Sequence, residues 1–230
     1  MGFGNIEIVS LLLGHGADPY EHDVAGNDAL MMASIFGRTD NVKFWLEKFP
    51  DWDLERKNKV VGGVALGLAV YMGPHRLELV KVLLEHGACL YFRTDTGGSV
   101  LTALCENEDA DPEVLELLLK TKMKTSVNYR RRSCTAKWRI IYRLARFLTQ
   151  NNLTKSGLMN HLAHESGSTA LHLAIQRGDV DIVNLLLEHG ADPTTKNDLG
   201  KSPVDYCDAC LLYTSPSPRD MRRSRMPSSA

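Results

Sequence analysis

The phrase "IVNLLLEHGADP" at residues 182–193 is written almost letter for letter at 8–19, as "IVSLLLGHGADP". A third version, "LVKVLLEHGAC", stands at 79–89. A chain that repeats itself at intervals is not read as one closed core, because self-similar segments fold as self-similar units. Each copy spaces branched aliphatics along a helical face, as Ile182, Val183, Leu186 and Leu187 do. Each then meets a glycine, at Gly16, Gly87 or Gly190. Glycine enters the left-handed conformation without a Cβ clash and so ends a helix. Asp-Pro follows in two copies and opens an extended loop.

A second phrase precedes the first: "GNDALMMASIFGRTD" at 26–40, "GGVALGLAVYMG" at 62–73 and "GSTALHLAIQRGD" at 167–179. In each, Ala-Leu is followed three residues later by Ala33, Ala69 or Ala174. Alanine on a helix lets a neighbouring helix approach closely. Thr169 is a plausible cap. Leu30, Leu66 and Leu171 recur at intervals of 36 and 105 residues, the latter three units of 35. The unit is therefore about 33 to 36 residues: loop, short helix, glycine turn, second helix, glycine stop.

These residues closely resemble the ankyrin repeat family, best at 166–200, where "TALHLAIQRGDVDIVNLLLEHGAD" departs little from the family pattern. The resemblance implies an all-α solenoid: an L-shaped stack of helix-turn-helix units with loops projecting from one edge. Residues 2–119 read as N-terminal repeats. The first is half-length, a bare second helix showing Ile8, Leu12 and Leu13, and insertions fall near Pro50–Asp53 and Pro74–His75. Residues 120–165 are a basic degenerate repeat or a helical insertion, with Trp138, Arg139 and Arg143 where the family prefers small or apolar groups. That weak unit is expected to uncouple the C-terminal repeat from the N-terminal ones. Residues 166–212 hold that repeat and the start of another, "KSPVDYC". The tail at 213–230 is Ser, Pro and Arg without an apolar period, expected to be disordered. Its opening resembles translated vector sequence, and the chain reads as a fragment of a longer array.

Composition narrows the function. The chain has a net charge of −1 over 230 residues, with 43% apolar. No apolar run reaches the roughly 18 residues of a membrane span. The start has no signal-peptide pattern. Five irregular cysteines read as free thiols in a reducing, intracellular setting, cytoplasmic or nuclear. No phosphate loop or nucleophile elbow occurs, and Gly62–Gly63 and Gly97–Gly98 precede helices without a strand ahead. No cofactor is expected. His15, His86 and His189 recur before the stop glycines and read as helix C-terminal groups rather than metal ligands. His172 resembles the family's structural histidine. Neither His161 with His164 nor the lone Cys207-x-x-Cys210 assembles four ligands. The chain therefore reads as non-catalytic.

Two surfaces remain. In the family, contacts come from loop tips and from the turn between the two helices. Carried over by position, these are Val24, Ala25 and Asn27; Ile35 and Phe36; Tyr71 and Met72; Glu165 and Ser168; Gln176 and Arg177; and Leu199 and Lys201. Exposed apolar pairs at Ile35–Phe36 and Tyr71–Met72 would mark a protein interface. The second surface lies in 117–164, which has eleven basic residues and no acidic one. Arg130, Arg131 and Arg132 precede a segment in which Arg139, Arg143 and Arg146 share a helical face. Through 120–146 it reads as a site for nucleic acid, another polyanion, an acidic partner or an acidic surface such as a membrane; otherwise as the solvated face of a poor repeat, or as translated non-coding sequence. A third reading makes the chain the regulatory fragment of a larger enzyme.

Overall fold

The computed structural model describes residues 4–72, 76–107, 109–121 and 127–207. Pro74–His75, Cys210 and the tail at 213–230 lie outside them. The described residues form eleven α-helices and one 3-10 turn, with no β-strand.

Short polar residues start most helices. Asn5 accepts from the Ile8 N–H ahead of α1 (Ile6–Gly14). Asp28 does the same for α2 (Ala29–Ile35), and Ser99 with Thr102 forms a capping box on α6 (Val100–Glu106). Asp111 followed by Pro112 opens α7 (Pro112–Lys120). The remaining paired helices are α3 (Thr39–Lys48), α4 (Ala65–Met72), α5 (Arg76–Glu85), α10 (Ala170–Arg177) and α11 (Val180–Glu188).

Helices pack in two rows. The inner row runs α2, α4, α6, α10 and ends on the 3-10 turn at Pro203–Tyr206. The outer row runs α1, α3, α5, α7, α11. Ala33, Ala69 and Ala174 are buried in the inner row, where a larger side chain would push adjacent helices apart. Leu30, Leu66, Leu104, Leu171 and Ile182 belong to one continuous apolar core. Helix α1 has no inner partner among the described residues: Val9 is buried, while Ile8, Leu11 and Leu12 are exposed. Leu13, expected to be bare, packs partly against the core. The irregular turn after α3 is closed by aromatic rings, with Trp52 stacked on Tyr20 at 5.2 Å and edge-on to Trp45.

Successive units are also tied through hairpin loops. The Lys59 N–H donates to the Ala25 carbonyl, and the Asp95 N–H to that of Val61. Gly62 has φ +66, and a Cβ there would lie 2.5 Å from Asp95 Oδ1, so only glycine fits. Within a hairpin, Asp23 and Asn27, Thr94 and Gly98, and Asn197 and Lys201 are paired across a glycine turn.

Arg131 and Ser168 make the same pairing: the Arg131 N–H donates to Ser168 O at 2.9 Å, and the Gly167 N–H to Arg131 O at 3.2 Å. Residues 132–166 thus stand where other hairpins have only 24–25, 95–96 or 198–199. They form α8 (Ala136–Gln150) and α9 (Gly157–Glu165), which pack chiefly on each other. The segment is a helical insertion at a hairpin tip, not a repeat. Its length equals one repeat by coincidence, so the 105-residue interval holds two repeat steps and an insertion. The C-terminal repeat is not uncoupled by it, because α10 packs directly on α6 and α11 on α7.

Leu104→Ala, in the helix between α4 and α10, should cost about 2–4 kcal/mol. Because stability is a nearest-neighbour sum, hydrogen exchange should rise in both α4 and α10. Loss of protection on one side alone would show that the two halves are independent.

Candidate functional site

The C-terminal ends of the inner helices form a row. Ile35 and Phe36 are half-buried at the end of α2, with Ile35 packed partly on the core. Tyr71 and Met72, 42% and 52% exposed, end α4. Glu106 and Asn107 end α6, and Gln176 and Arg177 end α10. Side chains bridge these ends. Asn107 Nδ2 donates to the Tyr71 carbonyl and Arg177 Nη2 to that of Glu106, so Arg177 is exposed yet engaged within the chain. The sequence does not signal the Asn107 bridge by motif, because "ALCENED" lacks the turn glycine of its neighbours. The available signal is its offset of 36 residues from Tyr71.

The hairpin tips are less open than the sequence implies. Val24 is fully exposed, and Lys201 is exposed with Nζ 5.5 Å from the Tyr206 ring. Ala25, Gln176 and Leu199 are half-buried. Asn27 is half-buried and committed inward, donating to Asp23 Oδ2 and accepting from Asn58. Two expected contact residues are withdrawn from the surface. Ser168 is fully buried, and its hydroxyl donates to the His164 carbonyl at 2.5 Å. Glu165 is buried because α9 ends against the hairpin rather than at a free tip.

Glu165 belongs to a charge network. Arg131 sits where other hairpins have Asp23, Thr94 or Asn197, whose side-chain oxygens accept a backbone N–H. A guanidinium cannot accept. Arg131 is instead 4% exposed and paired with Glu165 Oε2 at 2.7 Å and with Glu106. Tyr142 OH donates to the same Glu165 oxygen, and His161 Nε2 lies 2.7 Å from the other. Burial pushes the Glu165 carboxyl up, but the His161 hydrogen bond and the Arg131 charge hold it below the usual carboxylate range. Its bond to Glu165 raises His161, and burial pushes the Tyr142 hydroxyl up to about 12.

The six predicted arginines come together. Arg130, Arg131, Arg132, Arg139, Arg143 and Arg146 line one cleft of about 360 Å³, with Tyr142, Ser133, Ser166, Gly167 and Asp198. Asp198, at the next hairpin tip, accepts from Arg130 at 3.0 Å and from the Ser166 hydroxyl at 2.6 Å, and pairs with Arg146 at 3.4 Å. Arg131 is not a surface charge, since two carboxylates neutralise it behind the cleft wall. Arg132, Arg139 and Arg143 are exposed.

The histidines have structural partners. His15, His86 and His189 each direct Nδ1 at the carbonyl four residues earlier, at 2.8–2.9 Å, satisfying a helix-end acceptor. His172 Nδ1 accepts from the Thr169 N–H while Nε2 faces the Lys201 carbonyl at 3.1 Å, so the proton rests on Nε2. No group of three or more potential metal ligands occurs among the described residues.

Comparison with known proteins agrees with this architecture. A model of ankyrin repeats (3 copies) matches residues 1–94, and one of ankyrin repeats (many copies) matches 158–207. The chain belongs to the ankyrin repeat family. It is 46% identical over 48 residues to the rat mitochondrial disaggregase, covering 21% of this chain and 7% of that protein. It is 41% identical over 58 residues to human ankyrin repeat domain-containing protein 63, covering 25% and 15%. It is 31% identical over 118 residues to mouse ankyrin repeat and SAM domain-containing protein 6, covering 51% and 12%. The chain thus spans a small part of the length of each of these relatives. Ankyrin repeats are generally non-catalytic protein–protein interaction modules. No described helix is long and apolar enough to cross a membrane.

Arg131→Met should cost about 3–5 kcal/mol in urea unfolding, because it removes the charge partner of the buried Glu165 and of the half-buried Glu106. The raised pKa of His161 sets a pH sign. Its pairing with Glu165 stabilises fully below the ordinary histidine value near ~6.5 and fades as pH rises through the raised value. The Tm gap between the wild type and His161→Gln should therefore be larger in mild acid than in mild alkali. A constant gap would disprove the pairing.

Proposed function

We propose that this chain binds another protein through the ends of its inner helices, centred on α2 and α4. The observation that carries the reading is the exposure of Tyr71 and Met72 beside Ile35 and Phe36 of the preceding unit. Those helices pack on one another, so the four side chains are held on a rigid frame. A preformed aromatic and thioether patch binds at low entropic cost, and such groups are favoured as hot spots. The neighbouring ends of α6 and α10 are engaged within the molecule, with Glu106 on Arg131 and Arg177 on Glu106. The Tyr71 and Met72 side chains remain exposed at the end of α4, with Val24 exposed at a hairpin tip as a further contact; Lys201, at the last hairpin, lies toward the far end of the row. Four free thiols among the described residues favour an intracellular setting, cytoplasmic or nuclear.

A photo-crosslinking residue in place of Tyr71 should capture a protein that the same residue in place of Val180, exposed on the outer row, does not. Tyr71→Ala with Met72→Ala should weaken that protein by about 2 kcal/mol or more, with unchanged melting. Equal capture at both positions, or unchanged affinity, would remove the reading.

A further inference from the structure

We propose that the arginine cleft between α8 and the hairpin tips binds a small molecule carrying two or more phosphate groups. Five arginines of the cleft, at 130, 132, 139, 143 and 146, face the single carboxylate of Asp198. The surplus is four positive charges. Phosphate monoesters carry roughly −1.5 to −2 each near neutrality, so two of them balance it. Arg139 and Arg143 lie one helical turn apart on α8, and Arg146 continues that row. A row of planar guanidinium forks at turn spacing suits tetrahedral anions that accept two hydrogen bonds each.

Arg132, Arg139 and Arg143 line the cleft and are exposed, so their guanidinium donors are open to an incoming anion. The first turn of α8 has no acidic residue to oppose an anion there. The volume of about 360 Å³ is that of a small-molecule site. Nucleic acid would instead need an extended cationic track.

The same phosphate chemistry comes from a soluble polyphosphate or from a phosphorylated lipid headgroup. On α8 the row Ile140, Leu144 and Phe147 runs beside the arginines and is exposed, which is where a lipid surface would meet the helix. The experiment has arms for both sources. Isothermal titration of the full chain with inositol trisphosphate at low ionic strength tests the soluble form. Flotation with vesicles containing phosphatidylinositol bisphosphate, against phosphatidylserine vesicles of equal charge, tests the membrane form.

Binding of the trisphosphate, or of the bisphosphate vesicles in preference to phosphatidylserine, is expected. It should weaken about tenfold for Arg139→Gln and again for Arg143→Gln, and fall steeply with salt. Both residues are exposed, so circular dichroism should show those variants folded. Lys137→Gln removes an exposed charge from α8 outside the cleft and should leave affinity unchanged. Three results overturn the proposal: neither probe binds, Lys137→Gln weakens binding as much as Arg143→Gln, or polyuridylate RNA binds where the trisphosphate does not.

Discussion

The burial of each inner helix between two others is the contact on which this molecule depends. A seven- or eight-residue helix such as α2, α4 or α10 is too short to persist alone in water. It exists because Leu30, Leu66 and Leu171 are removed from water against the neighbouring helices. The alanines at 33, 69 and 174 set how closely those helices approach. The row of helix ends, the ladder of hairpins and both candidate surfaces are consequences of that spacing.

The insertion shows what such a stack tolerates. Arg131 and Gly167–Ser168 are already held together by two backbone hydrogen bonds, so whatever joins them begins and ends at one point on the surface. Lengthening a closed loop adds only a slowly growing entropy cost. A helical pair can therefore grow there while α6 and α10 stay in contact. The join has its own chemistry. An arginine replaces the usual acceptor at the root of the hairpin; two carboxylates pair with it, and a tyrosine and a histidine hold one of them in turn. Asp198 does the same on the outer side, holding Arg130 and Arg146 to the next hairpin.

Particular residues show how far the sequence could be read. The helices of the repeats and their glycine stops were legible, because period and punctuation are local. The six arginines were legible as a group through their density. Arg131 was not separable from its neighbours, since three consecutive arginines look alike until one is buried. Counting along the repeat places Ser168 and Glu165 at a tip, whereas both are buried. Counting cannot distinguish a repeat from an insertion of equal length, whereas the fifteen residues of α8, against seven or eight in the inner helices, can.

What the sequence determined by itself was the unit: two short amphipathic helices, a glycine turn and a loop, written often enough that stacking is the only way to bury their faces. That follows from periodicities of three to four residues inside elements and about thirty-five between them. The tertiary structure alone decided which units are neighbours, that the segment between Arg131 and Gly167 stands outside the stack, and which charges face one another. Those facts depend on pairings between residues far apart in the chain, such as Arg131 with Glu106 and Glu165 or Arg130 with Asp198. No local pattern encodes them.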